Sequence, residues 1–402
     1  MQKMIVTKFE CLPIDVLFEI FAYLSPVEIL QSFLSLSKCF STIVLRQHLW
    51  HIHIGGNTMS LSMFKNFCQN VLKLIGDRVI SLRITFSNMI GGWSLVASSL
   101  NYHQTILLRR LHLIDIESHE FDKLLRNHLV KQLHTLLVDV TKCNSFKYQV
   151  VEGAYLAKVC SCLPALTICQ LPFDFCPFSR NQLSISSAPP LMTLPNLSNT
   201  TYLHTLTTGI NTLRFLERLI ECIPFIENLS VGVQETEIYD DDKFDIIPLP
   251  VAVDARFLRR LSHLKLHCMS KRSFHKAIAL LSSVFGQLTH LSLKLNAYTS
   301  ISGALIISGD TIQQLCIDRL KPSAIYTLNL SVNVIKESEE KIIFTSFVKA
   351  SFARRERPKV FVQELDNGTI GHNYHCFIVY TAPYNDRMLP TYLFSTDLEK
   401  CV

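Results

Sequence analysis

A short apolar pattern recurs through this chain and leaves few folds open to it. It is a bulky aliphatic residue, two others, Leu, one other, then an aliphatic residue. It stands at Val79/Leu82/Ile84, Leu108/Leu111/Leu113, Leu133/Leu136/Val138, Leu163/Leu166/Ile168, Ile226/Leu229/Val231, Leu261/Leu264/Leu266, Leu288/Leu291/Leu293 and Ile312/Leu315/Ile317. A weaker copy, Leu203/Leu206, has Thr208 in the last place. Successive central leucines lie from 23 residues apart (Leu206 to Leu229) to 40 (Leu166 to Leu206). Apolar spacing predicts helices between them, at 148–162, 212–222 and 273–285. A unit of one strand and one helix has an apolar side it cannot bury alone, so neighbours must stack. The pattern therefore predicts an α/β solenoid with parallel strands; an ordinary α/β sheet domain is the alternative. Residues between the leucines would point outward on the concave side.

Ahead of the repeats, residues 12–50 have a different character. Pro13 stands where a helix can begin, since a proline there loses no needed donor. Asp15 and Glu19 follow near the positive end. Leu17, Ile20, Phe21 and Leu24 then keep helical spacing. Ser25-Pro26 stops one helix and opens another, with Ser25 as N-cap and Glu28 as its capping-box partner. Ile29, Leu30, Phe33 and Leu34 form the next stripe, and Leu36, Phe40, Ile43, Val44 and Leu45 a third. Three short helices cannot bury so many large side chains among themselves. An uncovered apolar surface is expected, and such a surface marks an interface.

These residues resemble an F-box. The resemblance is carried by Leu12-Pro13, the stripe Leu17/Ile20/Phe21/Leu24, Ser25-Pro26 with Glu28-Ile29-Leu30, Ser37-Lys38-Cys39-Phe40, and Leu49-Trp50. Phe40 departs from it, because many members carry an Arg-Trp pair there. The repeats resemble the irregular leucine-rich repeats often paired with F-boxes. They lack the Asn that strict members place after the strand. The implied organisation is a three-helix F-box at 5–54, an irregular leucine-rich-repeat solenoid at 59–322, and a C-terminal α+β cap at 323–402. Residues 51–58 are expected as a linker. Residues 63–75 are expected as a helix stopped by Gly76, and 325–332 as a strand of the cap.

The F-box resemblance implies a substrate receptor of an SCF-type cullin–RING ubiquitin ligase. Adaptor contacts carry over to Leu12, Pro13, Leu17, Ile20, Phe21, Leu24, Ile29, Leu30 and Phe33. The partners implied are the Skp adaptor, cullin through it, and a protein target. Target contacts are expected at the outward positions Arg83, Thr85, His112, Thr167, Ser230, Lys265, His267, Ser292 and Lys294. Insertions at 170–199, rich in Pro and Phe, and at 232–254, rich in Asp and Glu, leave after strands and could form a binding lip. A non-catalytic interaction scaffold without a ligase role is the alternative function.

The remaining readings narrow the field. The charge of +6 is modest, and the densest basic patch (Arg354, Arg355, Arg357, Lys359) reads as a solvated helix end. No nucleic-acid partner follows from it. No apolar run reaches the length of a membrane span, and no signal peptide is visible. Thirteen cysteines without such a signal imply free thiols in a reducing, cytoplasmic or nuclear setting. No phosphate loop, dinucleotide turn or His-Glu-x-x-His occurs, so neither cofactor, metal nor catalysis is expected. The best metal candidate, His372 to Cys376, lacks an evident fourth ligand. A hydrolase built on some Cys/His pair is a third reading that no residue nominates.

Overall fold

The first helix begins directly after Pro13, whose ring holds φ at −55°. The computed structural model describes residues 9, 12–56, 59–86, 91–103, 107–139, 153–171, 200–210, 212–233, 249–301, 305–354, 358–365 and 375–382. Both insertions fall largely outside these residues, as do Arg355, Arg357 and most of the 372–376 cluster. The chain divides into two compact units, Met1–Gly209 and Ile210–Val402.

In the first unit, α1 (Ile14–Ala22), α2 (Pro26–Phe33) and α3 (Lys38–Thr42) come first, and a π-helical turn follows at Ile43–Gln47. The expected capping box closes α2: Ser25 Oγ accepts from Glu28 N at 3.3 Å, and Ser25 N donates to Glu28 Oε2 at 2.7 Å. Ser37 caps α3 in the same way, accepting from Phe40 N at 3.4 Å.

The stretch expected as a linker is instead β1 (Trp50–Gly55), paired parallel with β2 (Val79–Thr85). Its buried positions are Trp50, Ile52 and Ile54, so it follows the alternation of a half-buried strand. The interposed His51 and His53 show that alternation in the sequence, but the Gly55-Gly56 pair after it led to the linker reading. The helix expected at 63–75 starts earlier. It runs as α4 (Leu61–Phe67), a π-helical turn (Cys68–Leu72) and α5 (Lys73–Ile75). Gly76 is not the left-handed stop expected of it, because its φ is −59°. A Cβ there would lie 2.6 Å from the His103 ring and 2.9 Å from Leu100 Cδ2, so a larger residue would have to displace those side chains.

Then follow α6 (Gly92–Leu100), β3 (Arg110–Ile114), α7 (Ser118–Leu125), β4 (Thr135–Asp139), α8 (Ala154–Cys162), β5 (Ile168–Gln170) and β6 (Thr205–Ile210). Strands β1 to β6 pair in sequence order, all parallel. Register places Ile52, Leu82, Leu111, Leu136, Cys169 and Leu206 in one buried row. This corrects the copy read at Leu163/Leu166/Ile168, which had slipped by three residues. The true copy is Leu166/Cys169/Leu171, with a buried thiol in the leucine's place. Burial pushes that thiol well above its ordinary pKa, so it packs as a small apolar group.

The second unit opens with α9 (Leu213–Cys222), capped by Thr212, whose hydroxyl accepts from Phe215 N at 3.2 Å. It continues through β7 (Asn228–Val233), β8 (His263–Cys268), α10 (Lys271–Leu281) and β9 (His290–Thr299). It ends with α11 (Gly309–Leu315), β10 (Ile325–Val334), α12 (Glu337–Lys349), β11 (Lys359–Leu365) and β12 (His375–Ala382). Strands β7 to β10 are parallel, β12 runs antiparallel to β10, and β11 antiparallel to β12.

Leu229, Leu264, Leu291 and Tyr326 share one buried row, with Val231, Leu266, Leu293 and Leu328 in the next. Two expectations change here. Ile312 and Leu315 lie on α11 rather than on a strand, since aliphatic residues three apart fit a helix equally well. The strand at 325–332, assigned to the cap, is a full parallel member of the series, and antiparallel pairing starts only with β12. The fold is thus an N-terminal helical module followed by mostly parallel strands alternating with helices.

Candidate docking interfaces

The N-terminal module has an aromatic centre. Phe21 meets Phe33 edge-on at 5.0 Å, Phe33 lies 5.7 Å from Phe40, and Phe9 stacks on both Phe33 and Phe40. Phe40, where the sequence departs from the F-box pattern, is therefore a core residue. Leu17 and Phe21 are 2 % exposed, and Ile29, Leu30 and Phe33 are also buried. Of the nine expected adaptor contacts, these five build the module's interior. Leu12, Ile20 and Leu24 are half-buried, and Pro13 is exposed.

The surface carries another apolar set. Tyr23 is 90 % exposed and Leu36 58 %, and Phe9, Ile14, Val16 and Leu49 are also exposed. Leu36 was read in the third stripe and Leu49 in Leu49-Trp50; sequence reasoning passed over the others, and Ile14, Val16 and Tyr23, on α1 and its C-cap, fall off the amphipathic stripe. That off-stripe position is the signal that finds them. The module joins the sheet through His48, which lies 5.3 Å from the rings of Phe18 and Phe21 and 4.6 Å from that of Trp50. Burial, and then the neighbouring His51, hold its pKa below the ordinary histidine value. A second tie is Arg78 Nη2, which donates to Gln47 O at 3.2 Å.

The expected target contacts fall into two groups. In the first unit, Arg83 and His112 are register partners on β2 and β3, and Thr85 follows on β2. His112 Nε2 sits 2.7 Å from Asp139 Oδ2, and Gln170 Nε2 donates to Asp139 Oδ1 at 2.6 Å. The His112 hydrogen bond holds the Asp139 carboxyl below the usual carboxylate range against its partial burial, with Gln170 and the charge of Arg83 adding to it. This network was missed, since an aspartate at the end of a strand carries no mark in one sequence. Thr167 does not belong to the face. It precedes β5, and its hydroxyl donates to His134 O at 2.9 Å, bracing the turn.

In the second unit, Ser230, Lys265 and Ser292 form one row across β7, β8 and β9. His267 and Lys294 are partners in the next. At the start of the same strands His263 and His290 stack, with centroids 4.3 Å apart and planes 8° from parallel. Ser262 and Thr289 hydroxyls hold their Nδ1 atoms at 2.8 and 3.0 Å.

Among the described residues no group of three or more His, Cys, Asp or Glu could hold a metal ion, and no helix is long and apolar enough to cross a membrane. None of the curated proteins matches the chain significantly. Residues 9–52 of this chain match the F-box domain, which is generally the Skp-binding part of an SCF substrate adaptor and is typically carried by non-catalytic proteins.

Proposed function

We propose that this chain is the substrate-recognition subunit of an SCF-type cullin–RING ubiquitin ligase. The observation that carries the reading is the F-box at 9–52, whose large apolar side chains remain at the surface after its own core is filled. Phe9, Tyr23, Leu36 and Leu49, with Leu12 and Pro13, supply the contact area. Leu17, Phe21, Ile29, Leu30 and Phe33 hold the helices that present it. Burying a large apolar side chain contributes about 1.5–3 kcal/mol, so a few of them make a durable joint. The target is held on the half-exposed face of the strands.

The chain contributes proximity rather than chemistry. Holding a target lysine near a ubiquitin-charged enzyme raises its effective concentration. Reconstitution with Skp, cullin, a RING subunit and charged ubiquitin-conjugating enzyme tests this. Chain-dependent ubiquitin transfer to a co-purified target is expected. Skp binding without any transfer would leave an interaction scaffold instead.

A further inference from the structure

We propose that the β8–β9 face of the second unit binds an acidic segment of the target, taken as an extended chain with a carboxylate at alternate residues. This rests on the target-binding reading above and narrows it from positions in both units to one strip. The strip has three rows of two: His263 beside His290, Lys265 beside Ser292, and His267 beside Lys294. Five of the six side chains are Lys or His. Rows two residues apart along a strand are separated by about 6.6 Å, and neighbouring strands by about 4.8 Å. An extended peptide repeats its side chains on one side at that same spacing of about 6.6 Å. Carboxylates at alternate residues would therefore fall opposite successive rows.

Two observations point to an anion. Lys265 is exposed and makes no ion pair among the described residues. Among the described residues, the half-exposed and exposed positions of β7 to β10 hold no Asp or Glu; they are Asn, Ser, His, Lys, Tyr, Ile and Thr. The first unit's face, by contrast, brings its own carboxylate, Asp139, to His112.

The test is fluorescence anisotropy with the full-length chain. The probe is a fluorescein-labelled peptide alternating Glu and Ser, and its control has Gln in place of Glu. The Glu peptide is expected to bind and the Gln peptide not. Lys265→Glu with Lys294→Glu is expected to weaken binding about tenfold. The same charge change placed elsewhere, Lys65→Glu with Lys131→Glu, should leave it unchanged. Matching melting temperatures establish that both variants are folded. Equal losses from both reversals would reduce the effect to net charge and overturn the proposal. So would equal binding of the Gln peptide, or much tighter binding when phosphoserine replaces Glu. Skp capture is measured on the same samples. Its loss with peptide binding intact would sink the ligase reading alone.

Discussion

The module at the N-terminus and the strip on β8–β9 offer partners opposite kinds of surface. The first is made of large apolar side chains around a filled aromatic core. The second is polar and basic and holds no carboxylate among the described residues. Apolar burial is little affected by salt, whereas attraction between exposed charges is screened over about 8–10 Å at ordinary ionic strength. On the function proposed above, the chain keeps its adaptor at salt concentrations that release its target. Raising the salt concentration should release the acidic peptide and leave Skp bound; release of both together would erase the distinction.

The largest effect separates the module's core from its surface. Phe21→Ala removes a ring packed against Phe33 and His48. A Phe-to-Ala change in a core costs about 3–5 kcal/mol. We expect urea unfolding to show a loss of that size, with Skp capture falling because the module opens. Next comes Tyr23→Asp combined with Leu36→Asp, at exposed positions. Stability should stay within about 0.5 kcal/mol of the wild type. Skp capture should drop about a hundredfold, the scale of losing a binding hot spot and adding charge to an apolar contact. A stability loss matching that of Phe21→Ala would break the division into core and contact residues.

That division was the part least legible in the sequence. Both sets are large and apolar, and helical spacing picks out the stripe a helix turns toward its own core, so it nominated Leu17 and Phe21 rather than Tyr23. The capping box at Ser25 and Glu28 was readable because a polar pair at fixed spacing has one local use. The strand rows were readable where an aliphatic side chain fills each place. They were misread at Cys169, where a thiol serves as the leucine, and at Ile312 and Leu315, where the same spacing suits a helix. The outward face was partly readable. Alternation put Arg83, His112, Lys265 and Lys294 on strands, but the pairing of His112 with Asp139 depends on register between strands 27 residues apart.

That pairing sharpens the contrast between the two sheet faces. The folded-state pKa of Asp139 is lowered, so its charge stabilises the first unit above the ordinary aspartate value. That contribution is lost as pH falls through the folded pKa. The carboxylate side chain is 39 % exposed, so solvent screening keeps the effect below about 1 kcal/mol. Asp139→Asn should lower the melting temperature slightly at neutral pH and flatten the acid limb below about pH 4. An unchanged acid limb would mean that the network does not set the first unit's charge.

The smallest effect concerns His48, between the module and β1. Its folded-state pKa is lowered by burial, then by His51. Above the ordinary histidine value both folded and unfolded chains hold it neutral, and it adds no pH dependence. As pH falls below that value the unfolded chain takes up the proton first, so stability declines until the lowered folded pKa is passed. His48→Phe keeps a ring among Phe18, Phe21 and Trp50 and removes the titration. Its melting temperature should change less than that of the wild type between about pH 7 and 5, the range in which an unperturbed histidine titrates. Identical slopes would show that protonation costs nothing among those rings. The joint would then be held by ring packing alone, as indifferent to pH as the apolar surface beside it is expected to be to salt.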